Sequence, residues 1–210
     1  MVKRKRLTPE GIIIAAIELL GRDGKKRFSM RRLAAYLGVD PMAIYYHIPN
    51  RATLIFQIVD SVISKCELPQ EALSWQVEVK EICAGFRRMA HQHPEVIQIY
   101  AEFHDWAPGD LRLSEAMHSA LKVGGFEKLA ITKAARLLRA YTENFCYWEL
   151  NGWIEPLDSE SRLKFTENLN QGEYPVTTDL LENLVNIDPE AEFNFGLGVL
   201  IAGLEGQLGG

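Results

Sequence analysis

Cysteine is scarce in this chain, whose 210 residues include only Cys66, Cys83 and Cys146. The three are widely spaced and form no CxxC pair, so the sequence predicts neither a disulfide framework nor a zinc site. Each lies within an apolar helical pattern, and we therefore expect three buried free thiols. No other motif indicates a metal ion or a cofactor.

Apolar runs long enough to cross a bilayer are also lacking. The basic residues 3–6 are not followed by the apolar segment and small-residue cleavage site of a signal peptide. We therefore expect a cytoplasmic protein without a membrane partner. Apolar residues recur at helical spacing, whereas internal repeats and convincing strand alternation are absent. The predicted fold class is all-α.

Catalytic motifs are missing as well, since the sequence contains no GxSxG, HExxH, P-loop or dinucleotide fingerprint. Scattered carboxylates have no base partner that spacing can establish: Glu102, Asp105, Glu143 and Glu149. We predict no catalytic residue and no enzyme. A helical dimerisation protein without DNA binding is the other alternative, and the features of residues 29–51 argue against it.

Charge is unevenly distributed along the chain. Residues 1–55 contain 11 Lys and Arg against 4 Asp and Glu, a balance of +7, whereas the remainder contains 12 against 24, a balance of −12. A basic N-terminal quarter favours nucleic acid binding at that end, because Lys and Arg neutralise phosphates. The basic arm at residues 1–7 is interpreted either as a DNA contact or as a solubilising terminus.

Residues 29–51 predict two short helices joined by a tight turn. Ser29 is a suitable N-cap for the first helix, while Asp40 and Pro41 suit the start of the second. Gly38 lies where the turn needs a positive φ. The residues expected to pack the two helices together are Leu33, Ala34, Leu37 and Ile44.

The outward side of the second helix differs from a packing surface. Ile44 faces back towards the first helix, which leaves these side chains outside: Met42, Ala43, Tyr45, Tyr46 and His47. A helical hairpin buried in a core is the alternative, but it does not need this outer face or the nearby Arg31, Arg32 and Arg51. With the amphipathic helix that Thr8 begins, the pattern predicts a three-helix DNA-binding unit.

The rest of the chain predicts a larger helical domain. A fourth helix, from Asn50 to about Cys66, links this domain to the DNA-binding unit. The predicted domains are residues 1–52 for DNA binding and residues 53–210 for ligand binding and dimerisation. Residues 155–174 are polar and are predicted to form a surface loop.

The last predicted helix begins at Pro189 and combines an apolar stripe with glycines that would be costly in an isolated helix. Because small residues permit close approach of another helix, we predict a subunit interface, with an intrachain core as the alternative. The predicted interface residues are Phe193, Leu197, Leu200, Ile201, Leu204 and Leu208.

Aromatic residues in the middle helices suggest a ligand cavity, although simple core packing gives the same spacing. Apolar walls with a few polar groups suit a moderately large aromatic or lipophilic molecule. The candidate ligand-binding residues are Phe86, Met89, Tyr100, Phe103, His104, Trp106, Met117, His118, Tyr141, Asn144, Phe145 and Trp148. His91 and His93 lie beside Glu95, but at a helix end a solvated pair is a better interpretation than a metal site.

Two segments resemble the TetR family of one-component transcriptional regulators. The first is AAIELLGRDG with FSMRRLAAYLGVDPMAIYYHIPNRATLI, and the second, FNFGLGVLIAGLEGQL, resembles the last helix of the tetracycline repressor subgroup. The resemblance implies a homodimeric repressor that binds half-sites of a palindromic double-stranded DNA operator. It further implies that a small-molecule effector moves the fourth helix and thereby releases the operator.

Position for position, the family's DNA contacts fall on Met30, Arg31, Pro41, Met42, Ala43, Tyr45, Tyr46, His47 and Arg51. Arg31 is suited to guanine, whereas Met42 and Ala43 could meet base edges or thymine methyl groups. Phosphate contacts, which position the protein without specifying sequence, suit Tyr45, His47 and Arg51.

The effector site departs from the pattern of the subgroup. Glu67 stands where the subgroup has a histidine that coordinates a drug-bound magnesium ion. Ile99 and Tyr100 stand near the position of its second histidine. These departures argue against a tetracycline–magnesium effector.

Overall fold

The computed structural model describes residues 7–70, 74–102, 107–169 and 172–208, and all regular structure in these ranges is helical. The predicted all-α class is thereby confirmed. The chain forms two compact units, residues 1–143 and 144–210. The predicted boundary at residue 52 divides the chain by function instead, and it stays a prediction. None of the described helices is both long and apolar enough to cross a membrane.

The described residues contain twelve α-helices and one 3₁₀ turn, Lys25–Arg27. The helices are α1 (Pro9–Asp23), α2 (Met30–Leu37), α3 (Pro41–His47), α4 (Arg51–Ile63), α5 (Trp75–Gln92), α6 (Pro94–Tyr100), α7 (Pro108–Val123), α8 (Lys128–Leu150), α9 (Ser159–Asn168), α10 (Pro175–Asp179), α11 (Leu181–Val185) and α12 (Pro189–Glu205).

The first three helices enclose a small apolar core. α1 begins where the Thr8 hydroxyl accepts a hydrogen bond from the Gly11 N–H at 3.1 Å, and it ends at Gly24, whose φ is 74°. α2 packs against both α1 and α3. The three helices contribute these buried side chains: Ile12, Ala16, Leu20, Leu33, Ala34 and Ile44. Burial of each Leu or Ile contributes about 1.5–3 kcal/mol.

α4 is shared by the first three helices and the larger helical part of the first unit. It begins where the Asn50 side chain accepts the Thr53 N–H at 2.8 Å. The helix contacts α1, α6 and α7. Its buried face consists of Leu54, Ile58, Val59, Val62 and Ile63. A change in the position of α6 or α7 therefore acts directly on α4.

Two glycines permit close packing against the C-terminal end of α4. A Cβ atom at Gly109, in the first turn of α7, would lie 2.6 Å from the Ser64 nitrogen. A Cβ atom at Gly85 in α5 would lie 2.4 Å from the Glu67 carbonyl oxygen. Since interiors are close-packed and such short contacts are repulsive, α5 and α7 can approach this segment only with glycine at these positions.

The second unit contains a helix where the sequence predicts a loop. Residues 155–174 include α9, so the loop prediction is wrong for this part. Asp158 caps α9 by accepting the Ser161 N–H at 2.7 Å, and Lys164 pairs with Glu160 one turn away at 2.6 Å. None of the residues of α9 is buried, so no apolar stripe marks the helix in the sequence.

α12 buries the stripe that the sequence predicts at a subunit interface. Four of the six predicted residues lie in the core of their own chain: Phe193, Leu197, Ile201 and Leu204. The rings of Phe193 and Phe145 meet edge to face, with centroids 5.2 Å apart. These four side chains are buried by neighbours in their own chain, which agrees with the intrachain-core alternative, whereas Leu200 is half-buried and Leu208 exposed. The interface assignment of the six residues stays a prediction.

All three cysteines are buried free thiols, as predicted. Burial raises the pKa of both the Cys66 and the Cys83 thiol to about 11. Both therefore stay protonated at neutral pH, and a protonated thiol is a poor nucleophile and a poor metal ligand.

Candidate DNA-binding surface and ligand cavity

The turn between α2 and α3 is fixed by local hydrogen bonds. Gly38 adopts the left-handed conformation, with φ 66° and ψ 34°. The Val39 N–H donates to the Ala34 carbonyl at 3.0 Å, and the Asp40 carboxylate accepts the Met42 N–H at 2.8 Å. The turn and caps predicted from residues 29–51 are therefore present.

α3 presents an exposed face opposite its buried residue. Ile44 is fully buried, while Met42 is 71% and Tyr46 87% exposed. Tyr45 is also exposed, and the rings of Tyr46 and His47 meet edge to face at 5.2 Å. Side chains this exposed add nothing to the core, so the face is available to a partner.

Met30 does not belong to this face. Although the family pattern assigns it a DNA contact, its side chain is only 8% exposed and packs in the core with Leu33 and Ala34. The three residues lie three and four positions apart, which places them on one side of α2. Arg31, one position later, is exposed. The DNA contact assigned to Met30 stays a prediction, with a side chain that is buried in this structure.

The arginines near α2 are not equivalent. Arg32 donates to the Asp23 carboxylate at 2.5 Å, and Arg22 donates to the same carboxylate at 2.8 Å. These two hydrogen bonds lower the pKa of Asp23 to about 2. Arg22 also lies 4.9 Å from the ring centroid of Tyr36. Arg32 is thus committed to Asp23, which leaves Arg31 as the better candidate for DNA.

A cavity of about 470 Å³ lies within the first unit, between α5, α6, α7 and α8. Its volume falls within the range of about 300–1,000 Å³ that is usual for small-molecule sites. The described residues that line it are Ile82, Cys83, Phe86, Tyr100, Asp110, Leu113, Ser114, Met117, His118, Thr132, Ala135, Arg136, Arg139, Thr142 and Glu143.

Four of these residues form a polar cluster in the cavity wall. Arg139 donates to Asp110 at 2.7 Å and to Glu143 at 2.5 Å. The Tyr100 hydroxyl lies 2.8 Å from Asp110 and 3.0 Å from Glu143, and it accepts a hydrogen bond from Arg139. Burial raises the pKa of Glu143 despite the nearby guanidinium, and burial together with the Glu143 charge raises that of Tyr100.

The cavity includes four of the predicted ligand-binding residues: Phe86, Tyr100, Met117 and His118. Phe103, His104 and Trp106 lie outside the described residues. The remaining five are not part of this lining: Met89, Tyr141, Asn144, Phe145 and Trp148. Phe145 packs against Phe193, and Trp148 is half-exposed, so aromatic character alone did not separate cavity from core.

Sequence reasoning missed the polar side of the cavity. On α8 the missed residues recur at helical spacing, namely Thr132, Arg136, Arg139, Thr142 and Glu143. A polar stripe of this kind is the normal mark of a solvated helix face. In the sequence, Arg139 and Glu143 are four positions apart on a predicted helix with apolar neighbours. This spacing predicts an ion pair between them but does not show whether the pair faces solvent or a cavity.

The cavity wall is joined to α4 through the first turns of α7. The Gly109 N–H donates to the Asp60 carboxylate at 2.7 Å. The next residue, Asp110, belongs to the polar cluster of the cavity. Arg112 donates to the Ser64 carbonyl at 2.9 Å, just beyond the end of α4. One short segment of α7 therefore contacts both the cavity and α4.

α6 provides a second connection, to the turn that follows α1. Its Glu95 carboxylate accepts the backbone N–H of Lys25 at 3.3 Å, and the Lys25 ammonium pairs with Glu102. Tyr100, at the end of the same helix, lies in the cavity wall. A ligand in the cavity would thus contact an element that also holds the turn after α1.

Within the described ranges, no three His, Cys, Asp or Glu side chains lie close enough together to hold a metal ion. Burial lowers the pKa of His93, and the charge of Lys65 lowers it further. Glu67, which stands at the histidine position of the tetracycline repressor subgroup, pairs with Arg88 at 3.4 Å. It is not among the described lining residues.

Comparison with known proteins supports both halves of this architecture. Residues 12–58 match the family model described as bacterial regulatory proteins of the tetR family. Residues 68–208 match the model described as the tetracyclin repressor-like C-terminal domain. Together the two matches cover most of the chain.

Individual relatives are similar over nearly the full length. An HTH-type transcriptional regulator from Saccharopolyspora erythraea is 28% identical, covering 97% of this chain and 86% of that protein. The tetracycline repressor protein class C from Escherichia coli is 26% identical, covering 95% and 91%. Streptomyces coelicolor ActR, solved in complex with actinorhodin, has a TM-score of 0.84 at 25% identity, covering 98% and 100%. This chain belongs to the TetR family of helix-turn-helix transcriptional regulators and is not an enzyme.

Proposed function

We propose that the protein is a homodimeric repressor that binds a palindromic operator and releases it when a small aromatic or lipophilic effector occupies the cavity. One observation carries the proposal: Gly109 is bonded to Asp60 of α4, and the adjacent Asp110 lines the cavity. A ligand that displaces Asp110 also displaces the residue that holds α4.

The DNA partner is supported by charge and exposure at the N-terminal end. Residues 1–55 carry a balance of +7, and α3 exposes Met42 and Tyr46 without any role for them in the core. With α3 in a major groove, Arg31 and Met42 reach base edges, while Tyr45 and Arg51 contact phosphates. Residues 1–52 then act as the DNA-binding domain.

Release of the operator follows from two positions of α4. In a two-fold dimer the two copies of α3 fit half-sites about 34–36 Å apart. A shift of α4 changes this separation, so an effector that binds better to the shifted form lowers operator affinity. To convert a population from 1:99 to 99:1, the effector must prefer one form by about 10⁴-fold.

The class of effector is supported by the cavity and by the relatives. Apolar side chains line much of the cavity, with a polar cluster at one part of its wall. ActR was solved in complex with actinorhodin, and several relatives are named tetracycline repressors. Both names support an effector with an aromatic or otherwise lipophilic body, and the second supports repression.

The homodimer is supported by the outer face of α12. Phe195 is 72% and Val199 56% exposed, and the same face continues through Ala202 and Gly203. A Cβ atom at Gly203 would meet no atom of the described residues within 4 Å, so no contact in that part of the chain requires glycine there. Glycine inside a helix lowers helix stability by about 1 kcal/mol relative to alanine. The close approach of a second helix to this face would explain why glycine is present.

The proposal is tested by fluorescence anisotropy of the full chain with a duplex that carries the palindrome next to its own gene. We expect tight binding that weakens steeply with added salt, because each neutralised phosphate releases counterions. Equal affinity for unrelated duplexes at physiological salt would contradict the proposal.

The role of the cavity is tested with a variant in which a larger side chain fills it. Ala135→Trp should leave operator binding unchanged and abolish release by any aromatic compound that releases the unmodified protein, because Ala135 is a small lining residue. Ser114→Phe serves as a second filled cavity should the first variant fail to fold. Release that persists in a folded, filled variant would place the effector elsewhere.

A further inference from the structure

The polar cluster of the cavity contains more acid than base. Asp110 and Glu143 both contact the single guanidinium of Arg139. The Tyr100 hydroxyl lies within 3.0 Å of both carboxylates, but its one proton can be donated to only one of them at a time. With both carboxylates ionised, these four described residues have a net charge of −1, and Tyr100 leaves one of the two carboxylates without its hydrogen bond.

Two other basic side chains line the cavity but do not compensate this charge. Arg136 is exposed, His118 and Glu143 are both half-buried, and Asp110 is only 4% exposed. Solvent screens an exposed charge far more than a buried one. The excess negative charge therefore lies at the polar cluster, where Asp110 is buried and Glu143 is partly buried, in a cavity that Phe86 and Met117 also line.

We propose that the effector carries a protonated amine on its aromatic or lipophilic body, and that this amine binds beside Glu143 and Asp110. The inference rests on the proposed function for its site and goes beyond it by assigning the charge of the ligand. An ammonium group brings three donors and one positive charge, which are the two things that the cluster lacks.

An anionic effector fits this wall poorly. At Nη1 of Arg139, which donates to the Ser114 hydroxyl at 3.5 Å, it would share the guanidinium with both carboxylates. At Nε or Nη2 it would have to replace Glu143 or Asp110, since both carboxylates already accept from this guanidinium. The displaced carboxylate would then be left without its partner in a partly buried site, and a third negative charge would enter the cavity. Each of these changes is unfavourable in a low-dielectric environment.

The test uses three anthracene derivatives that share one ring system and differ in charge. They are 9-(aminomethyl)anthracene, a cation; 9-anthracenemethanol, which is neutral; and 9-anthracenecarboxylate, an anion. Binding to the full chain without DNA is measured by calorimetry and by anthracene fluorescence. We expect the cation to bind at least about tenfold more tightly than the alcohol, and the anion most weakly, as is typical of a hydrogen-bonded charge pair.

Glu143→Gln identifies the group responsible, since the amide keeps an oxygen that Arg139 can donate to but removes the charge. In this variant the advantage of the cation over the alcohol should fall by about tenfold, while the affinity for the alcohol changes by less than about twofold. Glu115→Gln is the matched control, because Glu115 is an exposed residue of α7 outside the cavity lining. It should behave as the unmodified protein.

Equal affinities for the three compounds, or failure of all three to bind, would overturn the inference, as would a cation preference that survives in Glu143→Gln. None of these outcomes bears on operator binding, which is measured separately with DNA. Conversely, a chain that prefers the cation but binds no operator would refute the proposed function and leave the ligand assignment intact.

Discussion

The backbone N–H of Gly109 donates a 2.7 Å hydrogen bond to the carboxylate of Asp60, so the first turn of α7 is tied to α4. Asp60 is partly shielded from solvent in the middle of this contact, and its Oδ1 also accepts from the Ser64 hydroxyl. The bond matters for function because the next residue, Asp110, belongs to the cavity. Thus adjacent residues of α7 contact the two regions, Gly109 contacting α4 and Asp110 lining the cavity.

Replacement of Asp60 with Ala should loosen this contact. The Gly109 N–H loses its acceptor, which should lower the free energy of unfolding by about 1–3 kcal/mol. Urea denaturation measures the loss, and hydrogen exchange should show faster exchange at the Gly109 amide. Glu81→Ala, at an exposed position of α5, is the control and should change stability by less than about 0.5 kcal/mol. Unchanged protection at Gly109 would show that this bond does not hold α7.

Met30 and Arg31 are neighbours that should respond oppositely to alanine. Met30 is buried, so Met30→Ala should cost about 2–5 kcal/mol of stability through the lost packing and the cavity left behind. Arg31 is exposed, so Arg31→Ala should leave the melting temperature unchanged and weaken operator binding. Thermal unfolding and anisotropy titrations on the same samples separate the two. A stable Met30→Ala variant that loses only DNA affinity would support Met30 as a contact residue.

Gly85 and Gly21 form a second matched pair. Gly85→Ala should destabilise the protein by about 1–3 kcal/mol, because the added methyl group would lie 2.4 Å from the Glu67 carbonyl oxygen. Gly21→Ala should stabilise it by about 0.5–1 kcal/mol, because a Cβ atom there meets nothing within 4 Å and alanine favours the helix. Denaturant titrations of both variants provide the comparison. A neutral Gly85→Ala would mean that α5 can withdraw from Glu67 without cost.

The sequence predicted α2, α3 and the turn between them well, because the residues that determine these elements are close together in the chain. Caps such as Ser29 and Asp40 and the turn at Gly38 act within a few residues, and the structure contains all three. The burial of Ile44 followed from the same short-range spacing. No knowledge of distant parts of the chain was needed.

The cavity and α12 were harder to predict because their roles depend on distant neighbours. The stripe of Arg139 and Glu143 has the same spacing whether it faces water or lines a cavity. For α12, periodicity identified an apolar stripe through Phe193 but not the second face through Phe195, which chain packing leaves exposed. Sequence spacing shows which residues share a face, while only the fold shows what that face meets.

The exposed face of α12 predicts the effect of a charge on assembly. Val199→Glu should convert the proposed dimer into a monomer, because an unpaired carboxylate would be buried between subunits. Analytical ultracentrifugation measures the state, and we expect the dissociation constant to rise by at least about 100-fold. Val123→Glu is the control, since Val123 is 77% exposed at the end of α7. A Val199→Glu variant that stays dimeric would move the interface to another surface.

The affinity for an ammonium effector should rise with pH. Burial raises the pKa of Glu143 above its ordinary value of about 4.3, so the empty protein holds this proton more firmly than the unfolded chain does. The proton on Glu143 therefore contributes to the stability of the folded protein at pH values below the pKa of Glu143 in the unfolded chain. This contribution is lost as pH rises through the higher pKa of Glu143 in the folded protein. Since a cation binds the ionised carboxylate, the affinity of the protein for the cation increases as pH rises through the folded-state pKa of Glu143. Above that pKa the affinity becomes constant.

Calorimetry with 9-(aminomethyl)anthracene at a series of pH values below about 8, where its amine stays protonated, measures the slope. Glu143 faces Tyr100 from α6, Asp110 from α7 and Arg139 from its own helix, while His118 and Arg136 also line the cavity. His118 is also an ionisable residue of the lining, so His118→Gln is needed to separate its effect from that of Glu143. The slope should persist in His118→Gln and disappear in Glu143→Gln, and the reverse pattern would assign it to the histidine.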